Sequence, residues 1–361
     1  MVNYFNEVRN KNIVIKFFLV LSTLFITSTS FHSFAQISET KVVDNSSLNF
    51  VSREKIELLS NIACNNFSDL AKAYQQKFVN KMSEWSRVNL SKANYQTAFY
   101  PFSGPDVVTV MSIYPKANYY VLVADQAPEY EYIKHPEKMS GKSQAFECQM
   151  ISNFSQRGYY LTNDLNGKNG PTPRFIKLLI YNIAFSGSKI LEMNLLKVDV
   201  KGLIVPAEPQ DDPNGVRFIL ENKEGNRITL DYLKADLSNQ GLDKHKDFLR
   251  AFERKSSQVV LLKSASHLLQ NDYFSIMKDT LVKNAKWITQ DETGLDIIPL
   301  AETFNLELYG KFISPNGLWA KSPSAQRLAE YYSRHPSKED LPFLLGYEKK
   351  GGSMLMVGER K

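Results

Sequence analysis

The sequence lacks most of the short motifs that specify a reaction. It has no G-x-S-x-G elbow, which removes the usual serine of an α/β-hydrolase. It has no H-E-x-x-H, no C-x-x-C, no G-x-G-x-x-G and no complete Walker A. Gly141-Lys142-Ser143 is the tail of a phosphate loop, but Pro136 stands where its first glycine belongs. His135, His245, His267 and His335 are not spaced for joint metal ligation within one element, so only a zinc site assembled in three dimensions stays open. No metal and no cofactor is therefore expected. Lys and Arg exceed Asp and Glu by six, yet they are interspersed and form no block of the kind that binds nucleic acid. Internal repeats and low-complexity linkers are absent as well.

Long apolar runs are also missing. The longest near the start, residues 17–26 (FFLVLSTLFI), has ten residues, whereas a bilayer needs about 20. Arg9, Lys11 and Lys16 precede it against a single Glu7, and Ser33-Phe34-Ala35 places small residues at −3 and −1. This is the pattern of a secretory signal peptide over residues 1–35, cut between Ala35 and Gln36; an uncleaved anchor is the alternative. Export to the periplasm or beyond follows, with no transmembrane anchor after cleavage. Only two cysteines remain, Cys64 and Cys148, in a compartment where disulfides persist. They are either one bridge or two buried thiols acting as small hydrophobes.

What is present reads as an ordinary globular chain, 43% hydrophobic and 23% charged, which excludes wholesale disorder. The 12% aromatic share points to an aromatic-rich core, with a stacking surface as the alternative. Residues 36–51 are polar and read as a flexible lead-in. Residues 52–93 read as a helical segment: Ile56, Leu59, Ala63, Phe67, Leu70, Tyr74, Phe78, Met82 and Trp85 recur every three or four positions. Asn65-Asn66 is a point where this long helix can split.

Residues 94–361 read as a single domain in which strands and helices alternate. Strands are expected at 95–102, 119–124, 190–200, 259–262, 287–289, 305–312, 343–348 and 354–358. Helices are expected at 106–113, 144–156, 174–185, 243–254, 264–284 and 324–333. Between them, Val216, Phe218 and Leu220 face Ile228, Leu230 and Tyr232 across the turn Lys223-Glu224-Gly225-Asn226, a hairpin by its two-residue alternation. The fold class is α/β, a mainly parallel sheet with an antiparallel hairpin extension and a long N-terminal helix.

One loop stands out: Tyr100-Pro101-Phe102-Ser103-Gly104-Pro105-Asp106. It sits where a strand ends and a helix begins, the position at which open α/β sheets bind ligands. Ser103 and Gly104 permit a tight turn with exposed N–H groups, and Asp106 suits the positive end of the next helix. The second strand ends in Asp125, where dinucleotide folds carry a ribose-binding acid. Two later strands are followed by Lys263 and by Asp291 and Glu292. If these strand ends share an edge, the residues converge on one crevice. A helix cap and a salt-bridged strand edge are the plain alternatives.

The strand–loop–helix–strand–acid layout resembles the opening of class I methyltransferases in architecture, although the glycine-rich core of their motif is absent. The Y-P-F-S-G-P-D run also resembles the hallmark of an uncharacterised family of exported bacterial proteins. Leu262-Lys263-Ser264-Ala265-Ser266-His267-Leu268-Leu269, Ile288-Thr289-Gln290-Asp291-Glu292-Thr293-Gly294 and Leu308-Tyr309-Gly310 carry the same likeness. That family implies no activity, and Ser103 stands where its relatives often have Gly, which argues against a catalytic serine there.

Three functions fit the sequence. The first is an envelope protein binding a small polar ligand at the crevice. The second is an enzyme on an envelope substrate using carboxylate and Lys263 acid–base chemistry. The third is a partner-binding protein that uses the N-terminal helix. The sequence sets no oligomeric state. The export reading has a direct check: protein recovered from the host's exported fraction will have an intact mass that starts at Gln36, whereas full-length protein in the membrane fraction contradicts it.

Overall fold

The computed structural model describes residues 51–61, 64–139, 141–312, 322–346 and 353–361. The leader, the Ala35–Gln36 junction and the lead-in as far as residue 50 lie outside the described residues. The strands are β1 (Thr97–Pro101), β2 (Tyr119–Ala124), β3 (Lys189–Val198), β4 (Ile204–Pro206) and β5 (Gly215–Glu221). They continue with β6 (Arg227–Lys234), β7 (Val259–Leu262), β8 (Trp287–Gln290), β9 (Phe304–Gly310) and β10 (Met354–Arg360). All ten belong to one mixed sheet in the order β4-β3-β5-β6-β2-β1-β7-β8-β10-β9.

The centre of that sheet is parallel. β6, β2, β1, β7 and β8 run side by side in one direction. Burial on both faces explains the sequences of the central members, YYVLVA and VVLL, which are apolar throughout instead of alternating. Along β1, Ala98 and Tyr100 enter one core while Phe99 enters the other. The first core is filled by the N-terminal helices together with Val107–Ile113, Gln144–Arg157 and Phe175–Ser186. The last of these is apolar nearly all round and almost wholly buried, as a helix inside a layer must be. The second core is covered by Lys246–Lys255, Ser275–Asn284 and Ile297–Thr303.

The expected hairpin forms in register: Val216 pairs with Tyr232, Phe218 with Leu230 and Leu220 with Ile228. β3 and β4 add to it antiparallel, so the extension lies on the β6 side of the parallel core. β6 has two roles, since its other edge joins β2 in parallel.

Four expectations change. The N-terminal stripe is not one helix: Arg53–Ser60 ends at Asn61, and Asn66 adopts φ 60° before the chain re-enters helix at Phe67. From there it runs to Asn89 with a wider π-turn at Gln75–Val79. Its Tyr74, Phe78, Met82 and Trp85 are buried in the first core. The helix expected at 264–284 is a run of 3₁₀ turns from Ser264 followed by Ser275–Asn284, and that at 243–254 divides at the extended His245. The strand expected from 343 is absent over residues 343–346. Gly346 turns the chain at φ 77°, and both backbone groups of Leu345 bond the Ser353 hydroxyl instead of a neighbouring strand. The last strand, β10, instead inserts antiparallel between β8 and β9.

Cys64 and Cys148 are joined as a disulfide with Cα atoms 5.5 Å apart. The bond fastens the chain just ahead of Asn66 to the helix Gln144–Arg157 across a separation of 84 residues. No helix among the described residues is long and apolar enough to cross a membrane. Replacing Cys64 with Ser will cost about 2–5 kcal/mol, the usual loss for a native disulfide, read as a lower melting temperature. Thiol labelling of denatured, unreduced wild type will find no free cysteine; labelling of both thiols would rule the bridge out.

Candidate functional site

Because β1, β2, β6 and β7 are parallel, their C-terminal ends open on the same edge of the sheet. The segments that leave them, 102–106, 124–126, 235–237 and 263–265, line a cavity of about 290 Å³. Tyr159, Tyr160, Thr162, Leu165 and Asn166 supply another wall, from the stretch that follows the helix Gln144–Arg157. The cavity lies where β1 meets β7, so chain order reverses across the sheet at this point. Of the residues expected at the crevice, Tyr100, Ser103, Gly104, Asp106, Asp125 and Lys263 line it; Asp291 and Glu292 do not.

Asp106 and Lys263 form the most constrained contact in the site. The Lys263 ammonium meets Asp106 Oδ2 at 2.5 Å, with both side chains almost fully buried. The same ammonium donates to the Gly158 carbonyl and lies 3.5 Å from the Thr109 hydroxyl. With its three N–H bonds directed at protein oxygens, Lys263 holds no free valence for an anionic ligand or for acid–base work. Asp106 is equally committed: Oδ1 accepts from the Thr109 N–H, capping the helix Val107–Ile113, and Tyr100 donates its hydroxyl to Oδ2 at 3.3 Å. The positive end of that helix is thus filled by the protein's own carboxylate.

Backbone strain gathers at the same place. Only three non-glycine residues among those described have φ in the left-handed region, and two of them, Phe102 and Ser264, line this cavity at 58° and 55°. Such conformations cost of order 1–3 kcal/mol each and persist when their surroundings over-determine them. Ser264 is held on both sides. Its N–H donates to Asp291 Oδ2 at 2.9 Å, and its carbonyl takes a hydrogen bond from His267 Nδ1 at 3.0 Å. Its hydroxyl is buried without a hydrogen-bond partner.

Asp291 therefore acts one layer behind the cavity. It also accepts from the N–H and the hydroxyl of Thr293. Burial pushes its carboxyl above the ordinary aspartate range, and the hydrogen bonds from Thr293 and Ser264 and the charge of Lys263 work against that rise. Burial likewise lowers the His267 imidazole, and its hydrogen bond to the Ser264 carbonyl works against that fall. Glu292 points away, with its carboxylate packed where a Gly346 side chain would otherwise sit.

Asp236 and the Tyr159–Tyr160 wall went unseen in the sequence. Asp236 follows β6, whose alternation marked it only as a hairpin arm; nothing in the pattern showed its second, parallel edge. Among the described residues no group of histidines, cysteines and carboxylates is arranged to hold a metal. No protein-family model matches the chain, and no curated protein matches it.

The buried pair makes a thermodynamic prediction. Lys263→Met strands the Asp106 carboxylate in the interior and will cost about 3–5 kcal/mol in urea unfolding. Adding Asp106→Leu to it will restore a large part of that loss. A single substitution costing under about 1 kcal/mol, as an exposed pair would, contradicts the assignment.

Proposed function

We propose that this protein binds a small polar ligand in the strand-end cavity. The observation that carries the reading is the position of the cavity: it opens at the carboxyl ends of parallel strands, at the point where strand order reverses, which is where open α/β sheets bind their ligands. The lining supports it. Phe102, Leu165, Leu237, Leu268 and Phe274 provide apolar walls, and Asp125, Asp236 and Asn166 offer a few polar groups, the usual make-up of a small-molecule site.

The Rossmann- or methyltransferase-like character of the fold belongs to this proposal. Its support is strand order. Number β1, β2, β6, β7, β8 and β9 from one to six in chain order. Across the sheet they then read three, two, one, four, five and six, with β10 inserted antiparallel before the last. This is the order of the doubly wound dinucleotide-binding folds. An exported site of action is part of the same reading. It rests on the leader pattern and on a disulfide suited to an oxidising compartment, and it agrees with the family that the Y-P-F-S-G-P-D loop resembles. Acid–base chemistry through Lys263 receives no support, since its ammonium is fully engaged.

The test is a thermal-shift and calorimetric screen of polyols, nucleosides, amino acids and amines against the wild type and Ala265→Trp, which fills the cavity from its β7 wall. A true ligand at 100 times its Kd stabilises the wild type by about 2.7 kcal/mol, and the variant loses that gain. A compound that stabilises both equally binds elsewhere, and the absence of any hit in the wild type overturns the proposal.

A further inference from the structure

We propose that the ligand of this cavity is an organic cation, an amine carried on a flat or apolar body. The inference rests on the cavity-binding reading above and adds the sign of the ligand's charge. The charged residues on the cavity wall are Asp106, Asp125, Asp236 and Lys263. Asp106 and Lys263 neutralise each other in their buried pair. Asp125 and Asp236 are left, and neither forms an ion pair among the described residues. They leave adjacent parallel strands at neighbouring positions: the Ala235 N–H donates to the Ala124 carbonyl at 2.9 Å, and each carboxylate is borne by the next residue. Asp236 takes one local hydrogen bond from the Ser238 N–H, which removes none of its charge.

An anionic ligand finds no unpaired cation on this wall. The nearby helix terminus is already capped by Asp106, and the single ammonium on the wall has spent its donors. A neutral ligand leaves the negative potential of these two neighbouring carboxylates unused. An ammonium satisfies both.

The apolar part of the lining suits the same class of ligand. Phe102 and Phe274, edge to face with centroids 5.6 Å apart, give the body of the ligand an aromatic surface. At about 290 Å³ the cavity suits a single-ring compound.

Three probes with one body and different charge test this: tyramine (cation), tyrosol (neutral) and 4-hydroxyphenylacetate (anion), titrated by calorimetry into the disulfide-intact protein. The expected order is tyramine first, at least about tenfold tighter than tyrosol, with the anion weakest. Asp125→Asn with Asp236→Asn, both at exposed positions, will bring tyramine down to the tyrosol level and leave tyrosol unchanged. If tyrosol or the anion binds as tightly as tyramine, and Ala265→Trp abolishes that binding, the cavity reading stands and the cation assignment falls. If Asp125→Asn with Asp236→Asn leaves tyramine unaffected, the assignment falls as well. If none of the three binds, or if Ala265→Trp changes nothing, both fall.

Discussion

The buried contact between Lys263 and Asp106 organises this end of the molecule. One residue follows β7 and the other follows the β1 loop, 157 positions apart in sequence. Their union, with the Gly158 carbonyl and the Thr109 hydroxyl, ties together three segments that would otherwise leave the sheet independently. A charge pair in such surroundings is tolerable only when every remaining valence is satisfied. Here that requirement fixes where the helix Val107–Ile113 begins, where the stretch after Gly158 passes and where β7 stops. The cavity is the space left between segments held in this way. The strain at Phe102 and Ser264 is affordable because that contact and the Asp291 hydrogen bonds leave the backbone no other course.

Much of this was legible in the sequence. A parallel strand buried on both faces has to be apolar throughout, so YYVLVA and VVLL declared themselves, and with them the strand ends that carry Asp125 and Lys263. The hairpin was legible to the residue, because the turn at Gly225 sets the register and alternation of period two then puts Val216, Phe218 and Leu220 on one face with their partners. The Asp106 cap followed from the Pro-Asp pair preceding an apolar helix. The less legible features all depend on tertiary pairing. A period-two strand does not announce which of its edges pairs in parallel, so β6 hid Asp236. Spacing does not say whether a lysine near carboxylates faces ligand or protein, and Lys263 faces protein. Nor does an apolar run such as Phe343-Leu344-Leu345 say that a serine hydroxyl will take the place of a neighbouring strand.

The functional picture follows from what the buried pair takes out of circulation. A lysine at a strand end invites an anionic ligand, and an acid at a helix start invites a role in catalysis, yet in this fold the two cancel. What faces the cavity is the residue of that cancellation: Asp125 and Asp236 and a set of aromatic walls. The disulfide at the far end of the helix Gln144–Arg157 supports the same wall indirectly, since Tyr159 and Tyr160 follow directly from that helix. Structure and site thus share one constraint, the neutralisation of Lys263, which sets both the shape of the cavity and the sign of the charge within it.

The most direct measurement is a crystal structure of the protein soaked with tyramine. The account predicts difference density for the ring beside Phe102 and Phe274, with the ammonium beside the carboxylates of Asp125 and Asp236. Lys263 should still be on Asp106. Density for the probe at another surface, or a Lys263 side chain swung out of the pair and into the cavity, would contradict it.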